Sequence, residues 1–495
     1  MPASVRFVRA AAAKHLADAP RDALDSDREA RRRDQAALAD RRQRWIDRNR
    51  YYYACIRRLL AFIVEPGARV LSIRCRTGDF LDAVAPLHGV GVEISQPLVE
   101  IARARYPRFT FLRADPEQLD LPERFDYVIV SDVSDTADVL ATFTRVLSLC
   151  EPQGRVLVYG HNPWWRPMLA LAGAIGLRMP SRAPNWLSED DVRGLLQLAG
   201  FHVIRVYRTV LIPRRIPLVS EFVNRVIAAL PLVSRLCLAS VTVARPPARA
   251  VPADRVRVSV IVPCRNERGT VAAAVERMPR LGAGTEIVFC DDSSSDGTAA
   301  EVQRVQALHP DREIQLLAGP GIGKAENVWA GFRASRGDIL IILDGDLTLM
   351  PEELPAFISA LTEGRAEFAN GSRLVYPVTK AAMPISRLIG NRMMSRIVSY
   401  LLDHQVKDTL CGTKALWRRD WERIEPRLGS WGVRDRWGDY ELLFAAARLQ
   451  LAIVDIPVHY QERVYGTSKM VGTASNLFRM LRMCVTAAPR LKSGG

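Results

Sequence analysis

Between residues 45 and 245, short apolar runs alternate with stretches whose apolar positions recur at helical spacing. The runs are ARVLSI, HGVGVEI, FTFLRA, FDYVIVS, GRVLVYG and FHVIRVY. Their length and their Val, Ile, Phe and Tyr content predict strands. Strand–helix alternation predicts a parallel sheet with helices on both faces. After residue 255 the alternation restarts with VRVSVIVP, EIVFCDD, REIQLLA and ILIILDGD. The stretch between the two series, ARPPARAVPADR, is Pro-rich with Val251 as its one large apolar residue, and reads as a linker. Near the N-terminus, DREARRRDQAALADRRQR predicts a solvated helix or a disordered arm rather than core. Near the C-terminus, ASNLFRMLRMCVTAAPRLK is apolar on one face and carries Arg479, Arg482, Arg490 and Lys492; it suits an anionic membrane surface or a final packing helix. The expected layout is a charged arm at 1–44, an α/β domain at 45–245, a linker at 246–256, a second α/β domain at 257–472 and a basic amphipathic tail at 473–495.

Composition narrows this picture. A chain of 495 residues exceeds what one core usually organises, in line with two domains. The eight cysteines form no CxxC pair and no metal-ligand spacing, so reduced, buried thiols in a cytoplasmic protein are expected. The formal charge of +15 admits nucleic acid, anionic lipid or acidic substrates as partners. No zinc finger, RNP motif or basic zipper is present, so nucleic acid is not expected. The N-terminus lacks a secretory pattern, and no uncharged apolar run is long enough to span a bilayer. The expected location is the cytoplasm, with peripheral contact at the inner face of the membrane.

The candidate chemistry lies in the second series. Residues 339–343 read as a buried strand that ends at Asp344-Gly345-Asp346. Two carboxylates at i and i+2 beyond such a strand sit where open α/β sheets bind ligands. Hard cations such as Mg2+ or Mn2+ take carboxylate oxygens together with substrate phosphates. Two earlier strands also end in polar clusters, Pro263-Cys264-Arg265-Asn266-Glu267 and Asp291-Asp292-Ser293-Ser294.

In order and spacing, the segments VSVIVPCRNE, VFCDDSSSDGT, GIGKAENVWAGFRASRGDILIILDGD, NGSR, VKDTLCGTKALWRRD and VYGTSKM resemble the family 2 glycosyltransferases of GT-A fold. The resemblance is to their polyprenyl-phosphate branch, typified by dolichol-phosphate mannose synthase. It implies an inverting, metal-dependent transfer from a nucleotide-sugar donor to a polyprenyl phosphate or a surface glycan. On this resemblance Pro263 and Glu267 line the nucleoside pocket, and Asp292 contacts the base. Lys324 and Asn327 lie near the diphosphate, Asp344 contacts ribose or metal, and Asp346 is the main metal ligand. Arg373 and Lys469 hold phosphates, with Arg387 or Arg392 assisting. Asp439 is the candidate general base, with Glu441 second; the bland role for Asp439 is to cap the helix that it begins. Two departures loosen the link to a lipid phosphate: Thr348 stands where the branch often has Gln, and Cys411-Gly412-Thr413-Lys414 replaces its SGFR-like segment.

The first series resembles a class I methyltransferase, a Rossmann-like fold. VLSIRCRTGDFL stands at the glycine-rich loop, Glu93 at the acid that grips ribose, and Asp115 near adenine. S-adenosylmethionine is the implied cofactor. The loop departs from the pattern: Ser72, Arg74 and Arg76 replace Asp, Gly and Gly, and Gly78 remains. The expectation is a retained fold with weak or lost cofactor binding; the competing view is that the two arginines meet an anionic ligand. The fold class expected is thus two doubly wound α/β domains in tandem. The alternative function is a methyltransferase whose GT-A domain only binds substrate.

Overall fold

The six apolar runs of the first half become β1 (Arg69–Ile73), β2 (His88–Glu93), β3 (Thr110–Arg113), β4 (Phe125–Val130), β5 (Cys150–His161) and β6 (His202–Thr209). A seventh strand, β7 (Ala239–Arg245), is buried along its length. The structure, a computed structural model, describes residues 21–179, 186–377, 383–432, 434–466 and 473–492. The chain divides into two units, residues 1–248 and 249–493.

The first sheet has the order β3-β2-β1-β4-β5-β7-β6. Strand β1 is parallel to both β2 and β4, which places a topological switch point at its C-terminal end. The sheet is not wholly parallel, because β7 runs antiparallel to β5 and to β6. An antiparallel return needs no helical crossover, so periodicity gives no warning of it. Alternate residues of β1 feed the two faces: Leu71 and Ile73 enter one core cluster and Val70 the other. The charged N-terminal stretch is a helix, Arg21–Arg48, and it is not solvated all round. Ala39 and Ile46 are buried, and Arg31 reaches Asp135 at 3.1 Å. Ion pairs to residues far along the sequence, Arg28 to Glu117 and Arg31 to Asp135, seat a helix with few apolar residues.

The second unit holds β8 (Arg257–Cys264), β9 (Gly284–Asp291), β10 (Glu313–Ala318), β11 (Ile339–Ile342), β12 (Phe368–Ser372), β13 (Lys414–Trp417) and β14 (Ile453–Pro457). Their order is β10-β9-β8-β11-β13-β12-β14. Strand β8 is parallel to β9 and β11, and β13 is antiparallel to β11 and β12. The switch point between β8 and β11 opens a crevice at their C-terminal ends. The C-terminal helix Thr473–Lys492 is a packing helix: Met483, Cys484, Ala487 and Leu491 are buried, and it lies against helix Ile385–Leu402. Phe478 and Val485 on the same helix remain exposed. Among the described residues, no helix is long and apolar enough to cross a membrane.

Candidate active site

The crevice of the second unit is a cavity of about 450 Å3. Its wall includes Pro263 and Glu267 from the β8 end, Asp292 from β9, and Asp344 and Asp346 from β11. Lys324 and Asn327 enter from the helix Lys324–Ala334, and Arg373 and Asp439 from the far side. The loops after β8 and β9 are stitched together. Asn266, at φ +53°, accepts from the Ser295 N–H at 2.8 Å, and Glu267 N–H donates to Thr298 Oγ1 at 3.0 Å. Gly345 is required where it stands, because a Cβ there would come 2.9 Å from the Pro263 carbonyl.

Asp292 is buried, and its Oδ1 has no hydrogen-bond partner. A buried acceptor left orphaned in a cavity wall is set for a ligand donor such as a base N–H. Asn327 is mainly structural: its Nδ2 donates to the Cys290 carbonyl at 2.6 Å.

Each acid of the Asp-Gly-Asp turn is held by a cation. Lys324 Nζ lies 2.5 Å from Asp344 Oδ1, and Arg463 donates to Asp346 Oδ2 at 2.6 Å and to Glu267 Oε1 at 3.1 Å. Burial would raise the pKa of Asp344, but Lys324, Lys414 and Arg373 hold it below the usual value. Burial would likewise lower Lys324, yet Asp344, Asp439 and Asp346 hold it above its usual value. Thr348 supports Asp346 by donating to its Oδ1 through N–H at 3.2 Å and Oγ1 at 2.9 Å. Two carboxylates in a cavity with room for phosphates are the donor set that Mg2+ or Mn2+ takes, so these residues fit such an ion. Among the described residues no three His, Cys, Asp or Glu side chains converge, so the remaining oxygens would come from substrate and water.

Arg373 is not a loose surface charge. It donates to buried Asp408 through Nε at 2.7 Å and Nη2 at 2.9 Å, and stacks over Tyr460. Against the burial that would raise it, Arg373 and Asn391 hold Asp408 at about 2. Asp439 lines the cavity in an ion pair with fully buried Lys414 at 2.7 Å. It does not cap its helix. That role falls to Asp435, which accepts from the Tyr440 N–H at 2.8 Å. Glu441 sits off the cavity, where burial and Asp435 push its pKa up to about 7. Its neighbours tune it toward neutrality in the wrong place for a base. Arg387 lines the cavity, Arg392 is exposed, and Lys469 lies outside the described residues.

Sequence reasoning missed Arg463, Asp408 and the Lys414 partner of Asp439. Each stands in or beside a segment already singled out (VYGTSKM, VKDTLCGTK), but their partners are distant in the chain. Arg463 lies 196 residues from Glu267.

Residues 259–424 match the Glycosyl transferase family 2 profile. The second unit carries a family 2 glycosyltransferase domain. Over 220 residues this glycosyltransferase is 29% identical to the polyprenol monophosphomannose synthase of Mycolicibacterium smegmatis, covering 44% of this chain and 82% of that protein. Over 231 residues it is 30% identical to the dolichol-phosphate mannosyltransferase of Pyrococcus furiosus, covering 46% of this chain and 62% of that protein, less than two thirds of its length. Residues 44–206 match a Methyltransferase domain profile. Solved structures similar to the chain include a methyltransferase from Thermotoga maritima (17% identity, 42% of this chain and 96% of that one, TM-score 0.34). Another is the magnesium protoporphyrin IX methyltransferase of Synechocystis (21% identity, 37% and 74%, TM-score 0.26).

The methyltransferase-fold unit has its own cavity of about 360 Å3, but the residues nominated for S-adenosylmethionine are absent from its wall. Glu93 is fully buried, with its oxygens accepting from the Arg76 N–H at 3.0 Å and the Ile94 N–H at 2.9 Å. It presents nothing to ribose. The space beside Gly78 is filled by Tyr106 and Phe111. Asp115 faces the N-terminal helix, 3.5 Å from Arg28. Arg74 and Arg76 both adopt φ +55°, a conformation costing a side-chain-bearing residue about 1–3 kcal/mol. Their buried guanidiniums reach Asp135 at 2.6 and 2.9 Å within the cavity wall. A sulfonium cofactor does not fit beside two arginines with its ribose acid withdrawn.

Proposed function

We propose that the glycosyltransferase unit moves a sugar from a nucleoside diphosphate donor to a polyprenyl phosphate, inverting the anomeric carbon. The observation that carries this reading is the charge pattern of one cavity: Asp344 and Asp346 on the donor side, with Lys324 and Arg463 beside them, and Arg373 fixed opposite. The names of the mycobacterial and archaeal relatives support the same class of acceptor. The state of Asp439 favours a phosphate over a hydroxyl nucleophile. Its Oδ1 is engaged by Lys414 at 2.7 Å, which supports an acceptor that needs no base, and an ionised phosphate has no proton to lose.

In this reading Asp292 receives the base and Arg373 orients the acceptor phosphate. The acceptor oxygen attacks C1 as the bond from C1 to the diphosphate breaks, and the nucleoside diphosphate departs. Lys324 and Arg463 turn from the acids to the pyrophosphate oxygens, placing positive charge where negative charge develops. A bound Mg2+ or Mn2+ would supply further neutralisation of the leaving group. Helices Ile385–Leu402 and Thr473–Lys492 both wall the cavity and expose Ile385, Ile389, Phe478 and Val485 beside Arg392, Arg479 and Arg482, which supports peripheral contact with the membrane that holds the acceptor. Eight free cysteines support a reducing, cytoplasmic setting.

The test is transfer of label from GDP- and UDP-sugars to a short polyprenyl phosphate in detergent, with Mn2+. Asp346→Asn is expected to lose transfer about a hundredfold or more while its melting curve stays put. Transfer to free hydroxyl glycans but never to the phosphate would reject the acceptor assignment.

A further inference from the structure

The methyltransferase-fold unit carries an exposed apolar surface beside its cavity, sharing Met168 with the cavity wall. Helix Arg166–Ala174 and the residues flanking it turn Trp164, Met168, Leu171 and Ile175 to solvent. These positions fall at i, i+4, i+7 and i+11, one face of a helix. Trp164 is 82% exposed. The chain between β6 and β7 adds a second set: Leu218, Phe222 and Val226 at four-residue intervals, then Leu230, Leu232 and Leu236. Leu218 is 89% and Leu232 80% exposed.

The two sets are joined. Trp165 Nε1 donates to the Leu236 carbonyl at 2.8 Å, and Asn162 Nδ2 donates to the carbonyls of Arg235 and Cys237 at 2.8 and 3.0 Å. The second segment is also built, not frayed. Asn224 Oδ1 accepts from the Leu211 and Ile212 N–H groups, and Ser220 Oγ accepts from the Ile216 N–H while donating to the Arg214 carbonyl. Hydrogen bonds thus hold large apolar side chains outward, where water penalises them. Contiguous apolar surface of this kind marks an interaction site.

The charge around the patch says what covers it. Residues 162–179 and 210–238 together contain six arginines (Arg166, Arg178, Arg214, Arg215, Arg225, Arg235) and one acid, Glu221. Glu221 is spent on Arg225 at 3.1 Å. Apolar side chains interleaved with arginine match a bilayer surface, where hydrocarbon takes the former and anionic headgroups the latter. A second copy of this chain would bring the same arginines against themselves.

We propose that this face of the methyltransferase-fold unit docks on an anionic bilayer. The proposal is independent of the sugar chemistry and of the helices that wall the glycosyltransferase cavity. The unit is then a membrane-docking module, which accounts for a retained fold whose cofactor residues are withdrawn.

The test uses the full chain and phosphatidylcholine vesicles with or without phosphatidylglycerol. Flotation is expected only with the anionic lipid and to weaken with salt. Leu218→Ser, Phe222→Ser and Leu232→Ser combined should weaken binding about tenfold or more, with the melting curve unchanged because all three side chains are exposed. Brominated lipid should quench tryptophan emission, and Trp164→Phe should remove most of that quenching, which contact through the C-terminal helix alone would not do. Asp346→Asn should float as the parent does. Unaltered flotation of the triple variant overturns the proposal. So does conversion of a dimer to a monomer by that variant without loss of vesicle binding, which would assign the face to self-association.

Discussion

A side chain at position 412 would occupy the space of the Asp344 carboxylate and the Lys324 ammonium. Lys324 can swing aside, but the short Asp344 side chain can yield only by moving its carboxylate out of place. Gly412→Ala is therefore expected to lower kcat/KM about tenfold to a hundredfold through misplacement of Asp344, with a melting temperature close to the parent's. A parent-like rate would show that Asp344 has no fixed place in the reaction. Single residues were legible from sequence where a strand end fixes their position: Asp344, Asp346, Asp292 and Glu267 all reach the cavity wall. Residues whose meaning depends on a distant partner were not. Nothing local separates Arg463 from its neighbours in QERVYG, and its partners Glu267 and Asp346 are 196 and 117 residues away. The rank of Asp439 and Glu441 as bases also depended on what surrounds them: Lys414 for one, and for the other a buried spot off the cavity.

At the level of elements, the helix Asp439–Arg448 shows how a local device carries a pH signature. Asp435 accepts from the Tyr440 and Glu441 N–H groups and also repels Glu441, whose pKa burial already raises. A carboxyl whose folded pKa stands at about 7, above its ordinary value, favours the fold in acid and loses that contribution as pH rises through neutrality. Glu441→Gln removes the titration. Its stability advantage over the parent in urea unfolding should grow between about pH 5 and about pH 8. An advantage that is flat across that range would mean Glu441 titrates normally. Strands were legible where they are long and β-branched. The later ones were not: β12 reads FANGS, with small and polar residues, and β13 has four residues. They exist because they pair inside a sheet whose other strands supply the apolar drive, and that context is tertiary. The antiparallel insertion of β7 has the same origin.

At the scale of the whole molecule, two α/β units occupy one chain, and among the described residues one of them keeps a cavity whose polar groups await a ligand of the expected kind. Titration of the full protein with S-adenosylmethionine in a calorimeter should give no micromolar binding, because Glu93 is fully buried and held by two main-chain donors and Arg74 and Arg76 occupy the loop. Micromolar heat would show that the loop opens. Lys324 and Arg463 are tenants of the donor pocket. A divalent ion arriving alone must evict both from their carboxylates and leave them stranded. A nucleotide arriving alone meets Asp344 and Asp346 still competing for the same two cations. Arriving together, each ligand hands the other its counter-charges, so their affinities are thermodynamically coupled. Thermal upshift with GDP or UDP plus Mn2+ should exceed the sum of the two separate upshifts, and in Arg463→Gln this synergy should shrink. Strictly additive upshifts would mean that the pocket treats ion and nucleotide as strangers.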